Sequence, residues 1–265
     1  MAPRMRSDLE ILPEDIERLA TRDLCVGCRN GEGFELEFTM AFQPIVNVQT
    51  RTVYAHEALV RGRAGEGAGS ILGQVTDANR YAFDQACRVK AIELAAQLGM
   101  PGLLSINFLP NAVYEPRNCL RVTLSAAKRF DFPIEQIMFE IAESEKVVDL
   151  DHVIRIVRAY ERLGLTTAID DFGAGWAGLN LLSEVRPQVV KLDRGLCHGL
   201  GADAGRQSIA KYAAAMAREL GIVVIAEGIE QEEDLEILRN FGIELFQGFL
   251  FARPALERLP EIHWP

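Results

Sequence analysis

At 265 residues, 49% of them hydrophobic and 25% charged, the chain can bury one sizeable core and falls in the range where an α/β barrel is a single domain. Its net charge of −10 excludes broad electrostatic attraction to DNA, to RNA or to an anionic membrane, but not a phosphate ligand held through divalent cations. No run of about 18 uncharged apolar residues occurs, and the N-terminus carries acids where a secretory segment would need continuous apolar residues, so a cytoplasmic protein is expected.

Residues 1–34 read as an N-terminal appendage with a short helix around 13–22, and residues 35–265 as one barrel domain. The five cysteines are an odd count in a chain too long to need disulfide staples, so free thiols in a reducing compartment are expected. Cys25 and Cys28 have the spacing of half a zinc site or of a redox pair, but no second pair completes a tetrahedron, and an exposed turn is the simpler reading.

Short β-prone runs then alternate with helical stretches. The strand candidates are 35–46, 52–61, 103–110, 137–143, 166–173, 188–194, 222–228 and 244–251. Between them lie alanine- and leucine-rich segments that stop at glycine, among them 77–99, 151–164 and 202–221. Such alternation predicts a mostly parallel sheet, and eight strands predict closure into a barrel. Only NVQTR separates the first two strands, too short for a crossover helix, so the expected fold is a modified (β/α)8 barrel with its first strand antiparallel to the rest. Residues 62–69, GRAGEGAG, read as a flexible surface loop.

Polar residues recur where these strands end: Glu57, Asn107, Glu140 with Glu143 beyond it, Asp170 and Asp171, Lys191, Glu227, and Gln247. The C-terminal strand ends of a barrel converge on one mouth, so these side chains are expected to share a cavity. A cluster of carboxylates repels itself unless protons or cations neutralise it, and oxygen donors suit Mg²⁺ or Mn²⁺; two such ions are expected. Adjacent Asp170 and Asp171 cannot both face inward on a regular strand, so the backbone should turn there. Taken singly, each residue has a plainer structural reading: Asn107 as a turn cap, Lys191 as an aspartate's partner, and Gln247 as a ligand of backbone groups.

The string HEALVR (56–61) contains Glu-Ala-Leu. It is accompanied, in order, by QPIV (43–46), INFLP (106–110), FEIAES (139–144), AIDDFGAG (168–175), KLD (191–193), AEGIE (226–230) and QGFLFARP (247–254). Together these motifs resemble the EAL domain family, whose members hydrolyse cyclic di-GMP to linear pGpG, and among them the EAL domain of blue-light-regulated phosphodiesterases, here without a photoreceptor domain. The resemblance covers about residues 38–254. It implies metal binding by Glu57, Asn107, Glu140, Asp170, Asp171 and Glu227, with Glu57, Lys191 and Glu227 in the catalytic machinery. It also implies substrate contacts from Arg61, Gln43 and Gln247, and a loop-anchoring role for Glu143 on the segment after strand five. A homodimer through that loop and the adjacent helix is expected; whether a separate sensor protein binds the N-terminal segment is left open by the sequence.

The chain departs from the family pattern where Tyr-Ser-Ser is usual and Trp176, Ala177 and Gly178 stand instead, and where Leu109 replaces a serine. Trp176 has two readings, packing at a subunit interface or shielding the active-site loop, and aromatic enrichment at interfaces favours the first. Two other readings compete: an inactive EAL domain that binds cyclic di-GMP or a protein, and an unrelated metal-dependent barrel enzyme. A zinc hydrolase would need histidine ligands, and none of the four histidines, at 56, 152, 198 and 263, has ligand-like spacing at a strand end.

Overall fold

The computed structural model describes residues 36–109, 116–143, 150–175 and 178–265. The predicted helix at 13–22, the Cys25 and Cys28 pair, and Trp176 lie outside the described residues.

Eight strands close a barrel. β1 (Phe38–Asn47) and β2 (Thr52–Gly62) form the expected antiparallel hairpin, with Gln43 opposite Glu57. β3 (Leu103–Asn107), β4 (Ile137–Ala142), β5 (Thr166–Phe172), β6 (Val189–Leu192), β7 (Val223–Ala226) and β8 (Leu245–Phe246) then follow, each parallel to the one before. β8 pairs antiparallel with β1, which closes the ring, and a short β9 (Ala255–Leu256) adds to β1 at Ala41 and Phe42.

The helices are α1 (Ala68–Leu72), α2 (Arg80–Gln97), α3 (Pro116–Phe130), α4 (Leu150–Arg162), α5 (Gly178–Val185), α6 (Arg194–Cys197), α7 (Ala204–Glu219) and α8 (Glu232–Asn240). α2, α4 and α7 end where predicted, followed by Gly99, Gly164 and Gly221, all with positive φ. α7 starts on an Asp203 side chain that accepts a hydrogen bond from the Arg206 N–H.

One expectation needs trimming and another correcting. The 62–69 surface loop is an exposed turn over 63–67, closed by Gly65 N–H to the Gly62 carbonyl, while Gly62 ends β2 and Ala68 and Gly69 already belong to α1. The apolar run 244–251 pairs over Leu245–Phe246 only. Beyond it the chain docks on the β7–α8 loop: Ile229 donates to the Gln247 carbonyl and Leu250 donates back to Ile229. A Cβ on Gly248 would lie 2.0 Å from the Ile229 carbonyl oxygen, so only glycine permits this approach. Hydrophobicity alone could not separate such a docked turn from a strand.

The barrel interior is layered. Ile45, Ala55, Met138, Ala168, Val189, Ile225 and Leu245 form a buried apolar plug. One strand period further toward the mouth, the same strands present Gln43, Glu57, Glu140, Asp170, Lys191, Glu227 and Gln247. A second, larger core fills the space between the strands and the helices. No helix among the described residues is long and apolar enough to cross a membrane.

Candidate active site

Lys191 is fully buried, and its Nζ lies 2.8 Å from Glu140, 3.1 Å from Asp170, 2.7 Å from Glu227 and 3.6 Å from Glu57. Burial alone would strip its proton, but the surrounding carboxylates overcome this and hold its pKa well above the ordinary lysine value. Glu140 has no exposed surface, and burial, reinforced by Glu57 and Asp170, raises its pKa despite the ammonium beside it. Glu227 is raised for the same reasons.

The carboxylates fall into two overlapping groups, Glu57 with Glu140 and Asp170, and Asp170 with Asp171 and Glu227; within each group one oxygen per residue lies within 4.8 Å of the others. Asp170 belongs to both because the chain turns after it. Asp171 has φ +55° and the β5–β6 register is interrupted between Ile169 and Phe172, so both aspartates reach the mouth. The Asp171 N–H donates to Asp170 Oδ1 at 2.9 Å. The Asp171 pKa is pushed up to about 6 by burial and by the charges of Asp170 and Asp193.

Hydrogen bonds orient this ring. Asn107 Nδ2 donates to one oxygen of Glu57 at 2.8 Å, and Gln247 Nε2 to the other at 2.7 Å. Ser105 donates a short hydrogen bond to Glu140. Gln43 donates to the Ala252 carbonyl at 3.0 Å and accepts from Gln247. Gln247 Oε1 is buried without a partner, an oxygen donor held ready at the cluster. Glu143 spans the loop after β5, accepting from Gly173 N–H and from Gly178 N–H, each at 2.7 Å.

Above the cluster opens a cleft of about 330 Å³, bounded by Leu59, Asp193, Arg194, Glu230 and Phe249. Arg61 is outside its lining, and its guanidinium donates to the Val60 carbonyl at 2.7 Å. Among the residues not assigned a role from sequence are Ser105 and Asp193. Alternation places Ser105 on the inward face, two positions before Asn107. Asp193 ends the KLD string, lies on the cleft wall and caps α6 at Gly195 N–H.

A barrel whose strands β2 to β8 run parallel, with a lysine-centred ring of carboxylates at its C-terminal mouth, carries its polar groups where barrel enzymes build active sites, in oxygen-donor clusters that could hold metal ions. The chain belongs to the EAL domain family, a phosphodiesterase class: the EAL domain model matches residues 32–254.

Among curated relatives, the blue light- and temperature-regulated antirepressor BluF of Escherichia coli K12 is 33% identical over 85% of this chain and 56% of its own length. The probable cyclic di-GMP phosphodiesterase PdeD of the same organism is 28% identical over 82% and 42%. The chain thus spans about half, or less, of these relatives. A solved standalone versatile EAL protein from Vibrio cholerae O395, in its c-di-GMP-bound form, superposes with a TM-score of 0.84 at 52% identity, over 87% of this chain and 98% of that one. Klebsiella pneumoniae BlrP1, in a manganese and cyclic di-GMP complex, gives 0.82 at 32% identity, over 87% and 59%.

Proposed function

We propose that the chain is a cyclic di-GMP phosphodiesterase that hydrolyses its substrate to linear pGpG with two divalent ions, Mg²⁺ or Mn²⁺. The observation that carries the reading is the pair of overlapping carboxylate groups that share Asp170. Their donors are oxygens only, they carry more negative charge than Lys191 can balance, and the orphaned Gln247 oxygen lies beside them, so the residues fit hard divalent cations. Glu57, Asn107, Glu140, Asp170, Asp171 and Glu227 would hold the ions. When bound, the ions supply Lewis acidity toward a phosphate oxygen and lower the pKa of water.

The chain's own residues do the rest. Protonated Lys191 donates to Glu140 and orients Asp170 and Glu227, fixing the ring before substrate arrives. Asn107 and Gln247 hold both oxygens of Glu57. Arg61 leaves its Val60 contact to grip a substrate phosphate with its planar fork. Leu59 and Phe249 offer apolar walls to a base.

Incubating the pure protein with cyclic di-GMP and Mn²⁺ or Mg²⁺ should yield pGpG, and Glu57→Ala or Asp170→Ala should abolish it while the circular dichroism spectrum is unchanged. Turnover surviving in either variant would sink the assignment. A second reading, a receptor or interaction module, is favoured by the similarity to BluF, an antirepressor, and by Trp176, Ala177 and Gly178 in place of the usual Tyr-Ser-Ser. Tight binding without product would select it.

The same proposal includes a homodimer through the strand-five loop and α5, in the cytoplasm. It is supported by exposed Leu179, Ile209 and Tyr212, which border a groove of about 800 Å³ between α5 and α7 that reaches Glu143. Cys87 and Cys197 are free and buried, as a reducing compartment allows.

A further inference from the structure

An ion pair is buried on the outside of the barrel, behind the metal-facing residues. Arg88 on α2 is fully buried and bridges Asp84 one turn earlier, Nη2 to Oδ2 at 2.8 Å. Its guanidinium lies 5.5 Å from the ring centre of Phe108 and 4.8 Å from that of Phe139, and Nη1 donates to the Tyr160 hydroxyl on α4 at 3.1 Å. Phe108 follows Asn107 and Phe139 precedes Glu140, and strand alternation sends these rings outward while their neighbours face the mouth. The remaining Asp84 oxygen accepts from the Leu109 N–H at 3.0 Å, two residues beyond Asn107. The peptide between them is tied to β4, Phe108 N–H donating to the Glu140 carbonyl at 3.0 Å.

Burying such a pair is costly, and apolar residues of similar volume would often stabilise the fold as well or better. What apolar residues could not supply is an oxygen for the Leu109 peptide where β3 leaves the sheet.

We infer that Asp84 is a positioning residue: its carboxylate, itself aimed by Arg88, pins the end of β3 and so sets Asn107 against Glu57 at the metal site. The inference rests on the proposed role of Asn107 as a metal ligand. It is tested by titrating Mn²⁺ into the metal-free protein by calorimetry, with melting temperature recorded for each variant.

Asp84→Leu with Arg88→Met should melt at or above the wild-type temperature yet bind Mn²⁺ about 10–100-fold more weakly, the usual effect of losing support behind a ligand. Asp84→Asn with Arg88→Met restores an oxygen for the Leu109 N–H and should return wild-type affinity, which a merely structural role would not explain. Wild-type Mn²⁺ affinity in the Leu/Met variant, alongside weakened binding in Asn107→Ala, overturns the positioning role alone. Unchanged affinity in Asn107→Ala overturns the metal-ligand reading, and this inference with it. Should the Leu/Met protein not fold, Asp84→Glu keeps the charge but moves the oxygen by one methylene; weakened Mn²⁺ binding supports the inference and unchanged binding overturns it.

Discussion

At the scale of single residues, the site is an electrostatic balance around Lys191. Its ammonium is the internal counter-ion for a ring that would otherwise repel itself, so Lys191→Met should destabilise the metal-free protein by about 3–5 kcal/mol in urea, the typical cost of orphaning buried charge. Saturating Mn²⁺ should recover part of that loss, and hydrolysis should not return. Asp171 makes the balance depend on pH. Its folded pKa of about 6 lies above the ordinary 3.8, so the protonated carboxyl is favoured by folding; that contribution is full below pH 3.8 and lost as pH rises through 6. Metal binding needs the ionised form, so the rise in melting temperature produced by Mn²⁺ should grow between pH 5 and 7 and be flatter in Asp171→Asn. The inward acids and Lys191 were legible because period-two alternation and charge at a strand end are read directly. Ser105 was not, since a lone hydroxyl in an apolar strand carries no such signal, and Asp193 reads equally well as the helix cap it also is.

At the scale of elements, the segment after β5 is organised from the neighbouring strand. Glu143 accepts two backbone N–H groups across it, and a Cβ at Gly178 would sit 2.9 Å from one carboxylate oxygen and one at Gly175 3.0 Å from the same oxygen. The glycine that replaces the family's usual serine therefore lets the carboxylate close directly on the backbone. Restoring that serine, Gly178→Ser, should speed amide exchange at Gly173 and lower Mn²⁺ affinity; Glu143→Ala should do so more strongly, each lost charge-assisted bond being worth about 1.5–3 kcal/mol. The antiparallel hairpin was readable because five residues cannot hold a crossover. The shortness of β8 was not, because it depends on Ile229 meeting Gly248, nineteen positions further along the chain. Glycine stops marked the ends of α2, α4 and α7, whereas α1 is too short to show a periodic face.

At the scale of the whole molecule, the exposed Leu179, Ile209 and Tyr212 gather on one flank of the barrel around the groove between α5 and α7. Ile209→Glu with Tyr212→Glu should shift sedimentation equilibrium to monomer and lower phosphodiesterase activity without changing the melting temperature of the monomer; a dimer that persists would place the interface elsewhere. The antiparallel β1 has a different consequence. It leaves the ribosome before the other strands of the barrel and finds β2 at once, yet its other neighbours, β8 and β9, are translated some two hundred residues later. Until then β1 and the newest parallel strand both present open, hydrogen-bond-hungry edges, the condition under which nascent sheets pair with the wrong chain. A stop codon anywhere before Leu245 would make that interval permanent, so C-terminal truncations are expected in inclusion bodies even when every catalytic residue has been synthesised.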